Sequence, residues 1–421
     1  MDRNSARPSG PYAKPLASDE TRTIILQPSA FLEDDIACEI ETVSLENEDL
    51  PYEALSYTCG PPSAGYTSPD RSITVCGHMR AVGGNLWDAL KRLRLPDRPR
   101  RLCVDALSIN QEDNAERSQQ VAITGRIYHH AWRVIAWLGE ESPVYDALGA
   151  MPFFHAVYQH QEAAKALTKE IEPMEFHPRN VSTEAALRAD ELFESLILKT
   201  RLPPAVSAAN GIQCLGDLSH EWLEQYARRF WAIDRCGCLR SLRTAYIWQC
   251  VHTLMSRQYW KRRWVLQELH QARAGIMFCG EHEMEVNEFH TAWRRGFGMA
   301  VNLGAPTILM DVVQPAIFRY RGSKSDEGAP ATSLYSRTAQ FCESKCSGPR
   351  DAVYALLSFE DQVSIQPDYS LEPRQTWQQL YTVLITEGHI NRLLTVATRQ
   401  VQDRPMHIRV NLREIRRFPR G

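Results

Sequence analysis

Six residues from Arg133 to Leu138 (RVIAWL), closed by Gly139, constrain this chain more than any other stretch. A run that apolar suits the centre of a parallel sheet covered on both faces, where no position is left for a wet side chain. The sequence before it alternates strand and helix signals. Ser72 to Cys76 (SITVC) predicts a strand that turns at Gly77. Asn85 stands as an N-cap before Leu86, Leu90 and Leu93, which fall at helical spacing until Pro96 stops them. Leu102 to Leu107 (LCVDAL) predicts a buried strand holding one acid, Asp105, and a helix is predicted from about Ala115 to Ala131. Residues 72–139 therefore spell β-α-β-α-β, which implies right-handed crossovers and a mostly parallel sheet flanked by helices. Ligands of such sheets lie at the carboxyl ends of the strands. Asp105 and the loop Ser108–Gln111 occupy one such end.

Upstream, Thr23 to Leu26, Ile36 to Val43 and Glu53 to Tyr57 predict three more strands, the second alternating at period 2. Residues 1–20 are polar and read as a disordered lead-in. The organised region then divides into a first part at 21–145, a mainly helical insertion at 146–250 that includes a helix near 184–198, and a second part at 251–370. In that second part Trp264 to Ala272 predicts a helix, Ala274 to Cys279 a strand and Glu281–Glu283 an exposed turn. A further helix is predicted at 285–295, a Gly/Ser-containing linker at 320–335 and a short helix at 351–359. Trp132 and Trp137 read as core. The remainder, 371–421, ends in a basic stretch with seven arginines against two acids from Arg399 onward, read as a solvated tail.

Several function classes are disfavoured at this level. A formal net charge of -3 gives no bulk attraction to nucleic acid or an anionic membrane. No apolar run reaches the ~18 residues a membrane-spanning helix needs. Eleven cysteines, odd in number and irregular in spacing, with no secretory signal, predict reduced thiols and a cytoplasmic location. Neither Cys236-x-Cys238 nor Cys342-x3-Cys346 has structural-zinc spacing, so no metal is expected. No phosphate-cradling glycine loop, H-E-x-x-H or G-x-S-x-G is present, which argues against a nucleotide-dependent metabolic enzyme, a zinc protease or a serine hydrolase.

Five stretches together resemble the fungal heterokaryon-incompatibility (HET) domain. Tyr52-Glu53-Ala54-Leu55-Ser56-Tyr57 followed by Gly60 is similar to YxALSYxWG, and Val104-Asp105-Ala106-Leu107-Ser108-Ile109-Asn110-Gln111 to WIDAxCINQ. Glu116-Arg117, Gln120-Val121, Ile127-Tyr128, Ala131 and Trp137-Leu138-Gly139 follow ERxxQVxxMxxIYxxAxxVxxWLG. Arg263 to Glu268 resembles RxWVxQE, and Pro349 to Leu357 resembles DPRDKVYALLG. Three positions depart from the pattern. Cys59 and Cys103 stand where the family has Trp, which weakens packing at a strand end, and Ser108 replaces a Cys.

The resemblance implies a TIR-like (flavodoxin-like) α/β fold and a role in non-self recognition that ends in growth arrest or cell death. It implies action as a homo-oligomer on activation, with a partner sensor protein as trigger. In the TIR comparison Trp264-x3-Glu268-Leu269 matches W-C-x-x-E-L, which puts a catalytic acid at Glu268, with NAD+ as substrate and no cofactor. The alternative is a self-assembling scaffold that breaks no bond.

The candidate residues themselves admit two readings each. Glu268 four residues after Trp264 pairs a carboxylate with a stacking platform, or is a surface acid beside a core Trp. Arg262 and Arg263 can meet a pyrophosphate. Asp105 needs a partner, Arg117 or backbone N–H groups after Ser108, because burying it unpaired costs several kcal/mol. Asn110 and Gln111 satisfy loop backbone or contact ribose. Ser56 and Tyr57 end a strand at the ligand edge, where Tyr57 stacks on adenine or simply packs.

Overall fold

The computed structural model describes residues 11–46, 51–62, 69–142, 146–160, 242–293, 344–359 and 365–386, together with 198, 213–217 and 219. Nine strands form one sheet: β1 Glu20–Leu26, β2 Ala37–Ser44, β3 Glu53–Ser56, β4 Arg71–Val75, β5 His78–Val82, β6 Arg100–Cys103, β7 Arg133–Trp137, β8 Gly275–Cys279 and β9 His282–Glu285, in the order β5-β4-β2-β1-β6-β3-β7-β8-β9. The four neighbours β6-β3-β7-β8 are parallel, with Ala54 opposite Cys103 on one side and Val134 on the other. Outside them β1 pairs antiparallel with β6 and β2, and β9 antiparallel with β8. The sheet is thus mixed, parallel at its centre.

Period 2 governs the central strands as their sequence requires. Ala54, Val134 and Ala136 face one core, while Leu55, Ile135 and Trp137 face the other. The second core is closed by helix α1 (Gly84–Leu93) through Leu86, Leu90 and Leu93. The first is closed by α4 (Thr124–His130), α5 (Asp146–Gln159), α6 (Leu242–Met255) and α7 (Trp264–Gln271). Two further helices, α8 (Asp351–Tyr354) and α9 (Pro373–Thr386), add Tyr354, Trp377 and Leu380 to it. Among the described residues no helix is long and apolar enough to cross a membrane.

Several expectations change. The strand expected at 102–107 stops at Cys103, and Asp105 opens a short helix, α2 (Asp105–Ser108). The long helix expected at 115–131 is two, α3 (Asn114–Ala122) and α4, joined at Ile123. Asn85 is not the N-cap of α1, a place taken by Gly83. Its amide instead donates to Thr58 O at 2.8 Å and accepts from Trp137 Nε1 at 3.0 Å, tying helix, loop and strand. Trp132 is 50% exposed, its ring covered by the Arg133 guanidinium at 4.3 Å. His282 is buried within β9 rather than exposed in a turn. Residues 11–19 lie against the domain: the Tyr12 hydroxyl donates to Leu107 O at 3.1 Å, and the ring lies between Arg22 and Arg80. The helix near 184–198 (except 198), the linker at 320–335 and the basic stretch after 399 fall outside the described residues.

At the amino end of the parallel strands, Glu53 is stitched to both neighbours. Arg100 Nε reaches it at 2.5 Å from β6 and Arg133 Nε at 2.6 Å from β7. Burial disfavours its charge, but the two guanidinium groups outweigh that and lower its pKa. The stabilisation is present above the ordinary carboxylate range near 4.5 and fades as pH falls through the depressed value. Glu53→Gln should cost about 2–4 kcal/mol in urea unfolding at pH 7, since it leaves Arg100 without its carboxylate partner. The loss should shrink below pH 4; a pH-independent loss would mean the ion pairs are not its cause.

Candidate functional site

The carboxyl end of β3 gathers groups from four separate stretches. Ser56 and Tyr57 leave the strand on opposite faces, as consecutive residues must. Glu268 comes to the Ser56 side from α7, is 3% exposed, and accepts a short hydrogen bond from Ser56 Oγ. Ser56 Oγ also meets the Tyr259 hydroxyl at 2.9 Å, so Tyr259, Ser56 and Glu268 form one chain of hydrogen bonds. Tyr57 is buried among the residues of the other core, with the Asp105 charge acting on its hydroxyl. Arg262 lies across the strand end. Its Nη1 donates to Tyr57 O, its Nη2 to Cys59 Sγ at 3.5 Å, and it stands 3.8 Å from Asp105 Oδ2.

The electrostatics follow from this packing. Burial raises the Glu268 pKa to about 7 although Arg262 and the Ser56 hydroxyl favour its charge, and Asp105 adds to the rise. Burial also works against the Arg262 charge, but Glu268, Cys59 and Asp105 more than compensate, and its pKa is raised. The Tyr57 hydroxyl is pushed well up by burial and by Asp105. Burial lifts the Cys103 thiol to about 12. A carboxyl group poised near neutrality beside a fixed cation can act as general acid or base, or stabilise a developing positive charge.

The structure brings Ser56, Tyr57, Asp105 and Glu268 to one end of the sheet. Asp105 is held otherwise than its place in an apolar strand suggested. As the first residue of α2 it accepts the Ala106 N–H at 2.8 Å and is 37% exposed. Helix N-termini leave N–H groups that an acid satisfies, so burial in a strand is avoided. Arg117 does not reach Asp105; it stacks on Tyr369 at 3.8 Å, while Glu116 is paired with the buried Arg22 at 2.6 Å. Asn110 Oδ1 accepts from Glu112 N at 3.3 Å, and Gln111 Nε2 donates to Asp105 O at 3.1 Å, so both side chains bond backbone of their own loop. Tyr57 is packed rather than presented as a stacking surface.

Arg263 is not at the site. Its guanidinium is buried and donates to Ser344 Oγ at 3.0 Å and Ala352 O at 2.6 Å, on the far segment 344–352. Trp264 is partly buried against the helical core. Arg262, at the site, was read from sequence only together with its neighbour. Which of two adjacent arginines turns inward depends on where α7 begins, a phase set by packing. Tyr259 carried no signal at all, since its spacing from Ser56 is 203 residues. Among the described residues no cluster of three or more His, Cys, Asp or Glu could hold a metal ion.

Fold and site together define an α/β domain with a buried carboxyl group at the carboxyl ends of parallel strands. The family model described as Heterokaryon incompatibility protein (HET) matches residues 52–268, just over half of the 421 residues, and the chain belongs to that family. The match opens at Tyr52, beside β3, and closes on Glu268. One relative is Heterokaryon incompatibility protein 6, OR allele, of Neurospora crassa, 30% identical over 164 residues. That stretch covers 34% of this chain and 23% of the relative, so the chain spans well under two thirds of that protein's length. No solved structure matches the chain.

A raised carboxyl pKa has a stability signature. With a folded value of about 7 against 4.5, the contribution of Glu268 to stability declines as pH rises from about 4.5 to 7, by about 3 kcal/mol in full. Glu268→Gln keeps an acceptor for Ser56 and lacks the ionisation. Its stability relative to wild type should therefore improve between pH 5 and pH 8 in denaturant unfolding. A difference that stays flat with pH would place the Glu268 carboxyl in water.

Proposed function

We propose that the chain acts in fungal heterokaryon incompatibility, the recognition of non-self, and signals growth arrest or cell death by cleaving NAD+ at Glu268 once copies assemble. Membership of the family and the name of the Neurospora relative support the first part. The observation that carries the second is the near-neutral carboxyl group of Glu268 at the carboxyl ends of a parallel sheet, where ligands of open α/β sheets bind.

Breaking the nicotinamide–ribose bond builds positive charge on the ribose, as in glycoside hydrolysis. The electron pair of that bond leaves with nicotinamide, and water supplies the new oxygen on ribose. Glu268, as carboxylate, would face the cationic carbon, while Ser56 and Tyr259 fix its direction. Asp105, partly exposed at the rim, would accept hydrogen bonds from sugar hydroxyls. Because Glu268 is nearly sealed, substrate entry requires the strand end to open, and assembly with a second copy under the control of a sensor chain is the step assigned to that opening. The setting for this is the cytoplasm, with NAD+ as substrate and no bound cofactor.

One observation favours the second reading, a scaffold in which assembly alone is the signal: Ser56 already engages the nearly sealed Glu268 carboxyl group. Free nicotinamide measured after incubating concentrated, crowded protein with NAD+ separates the two. Wild type should release nicotinamide, with a rate that rises with pH through about 7, and Glu268→Gln should lower it at least ~100-fold while staying folded. Assembled wild-type protein that releases none would leave the scaffold.

A further inference from the structure

Arg262, partly exposed, differs from the buried Arg94 and Arg263 in how it is satisfied. Arg94 spends its terminal nitrogens on four carbonyls, those of Phe31, Leu32, Asp34 and Asp35, at 2.8–3.1 Å. Arg263 is locked on Ser344 and Ala352. Arg262 makes one hydrogen bond to an oxygen, the Tyr57 carbonyl, and one to the Cys59 sulfur, a weak acceptor. Its nearest carboxylate oxygen, on Asp105, is 3.8 Å away, beyond hydrogen-bond reach. A guanidinium carries five N–H groups in a planar fork matched to oxyanions, so this one retains capacity that its surroundings leave unused.

Its backbone, by contrast, is fixed. The Arg262 N–H donates to Tyr259 O at 3.1 Å, and the residue forms a parallel bridge with Lys345. Only the side chain is free to change partners. The side chain is 16% exposed, between sealed Glu268 and Asp105 at 37%. A ligand approaching from solvent therefore meets Asp105 and Arg262 before Glu268.

We propose that Arg262 is a displaceable internal cation: a phosphate or pyrophosphate oxyanion at the mouth of the site takes the guanidinium and draws it away from Glu268 and Asp105. As the site stands, Arg262 supplies the positive charge that acts on these two acids. Once an oxyanion engages it, the acids face the vacated position, which then accepts a cationic or electron-poor part of the same ligand. The ligand class is a nucleotide-like molecule bearing an oxyanion a few bonds from such a group. Arg262 is thereby a specificity-determining residue that makes access to Glu268 conditional on the anion. The inference rests on the site of the proposed function, though it requires no bond to be broken.

Calorimetric titration of the full chain with inorganic pyrophosphate and with ADP-ribose tests it. Wild type should bind both, ADP-ribose more tightly if the anion belongs to a nucleotide. Arg262→Gln should weaken both by about tenfold or more, and Arg262→Lys, a point charge without the fork, by less. Glu268→Gln removes the group that competes for Arg262 and repels the anion, so it should bind both severalfold more tightly than wild type. That gain cannot come from misfolding, and far-UV circular dichroism checks the Arg262 variants. Pyrophosphate bound equally by wild type and Arg262→Gln, by Glu268→Gln no better than wild type, or not at all at millimolar concentration would overturn the assignment. Failure of NAD+ cleavage would leave these affinities unchanged, so the two ideas fall separately.

Discussion

Everything in this domain is built around β3, a four-residue strand buried on both faces between two parallel neighbours. Such a strand has no wet side, so each of its side chains needs a partner from elsewhere in the chain. Glu53 finds two arginines at the amino end; Ala54 and Leu55 fill the two cores; Ser56 finds Glu268 and Tyr259. Because Ser56 and Tyr57 point to opposite faces, the groups that satisfy them arrive from opposite sides of the sheet. Glu268 comes from one and Asp105 from the other, and the Arg262 guanidinium, 3.8 Å from Asp105, acts on the charge of both. The chemistry of the site follows from a packing requirement.

Helix α7 is anchored at both ends. Arg263, its N-cap, and Gln271, its last residue, hold the segment 344–358 through Ala352 O and Ser358 O. Trp264 and Glu268, four residues apart, share a face of the helix. The held segment is secured in turn: Tyr369 donates to Asp351 Oδ1 at 2.5 Å, Arg350 Nε to Leu371 O at 2.5 Å, and Tyr369 is capped by Arg117. Two stretches that resemble the family pattern, around Arg117 and around Asp351, are therefore joined through Tyr369. The contacts of Arg117, Asp351 and Tyr369 hold these stretches together.

The parallel centre of the sheet was legible because its strands carry their own signatures: short, apolar, bounded by Gly or Pro, and separated by helix-length periodic segments. Features that depend on exchange of local partners were not. The hairpin strands β5 and β9 are short and half polar, and they exist as strands only because β4 and β8 offer free edges. The break at Ile123 and the helical start at Asp105 replace the simpler continuous elements that periodicity suggested; at Asp105 the start of α2 gives the carboxylate the Ala106 N–H as a partner. Of the candidate site, Ser56, Tyr57, Asp105 and Glu268 were visible as a group. Arg117 and Arg263 were not separable from it, because charge and spacing say nothing about which face an arginine takes.

Local order is what the sequence by itself determined: an α/β domain with central strands at 53–56 and 133–137, a helix carrying Trp264 and Glu268, and membership in a recognisable set of stretches. Only the tertiary structure decided that Arg262 rather than Arg263 lies beside Asp105, that Asp105 sits partly exposed on a helix start, and that Glu268 is buried with a near-neutral pKa. The physical reason is range. Strand and helix periodicity is set by neighbours a few residues apart, whereas the protonation and pairing of a buried group depend on water excluded by segments as much as two hundred residues away in the chain, as Ser56 and Glu268 are, separated by 212 positions.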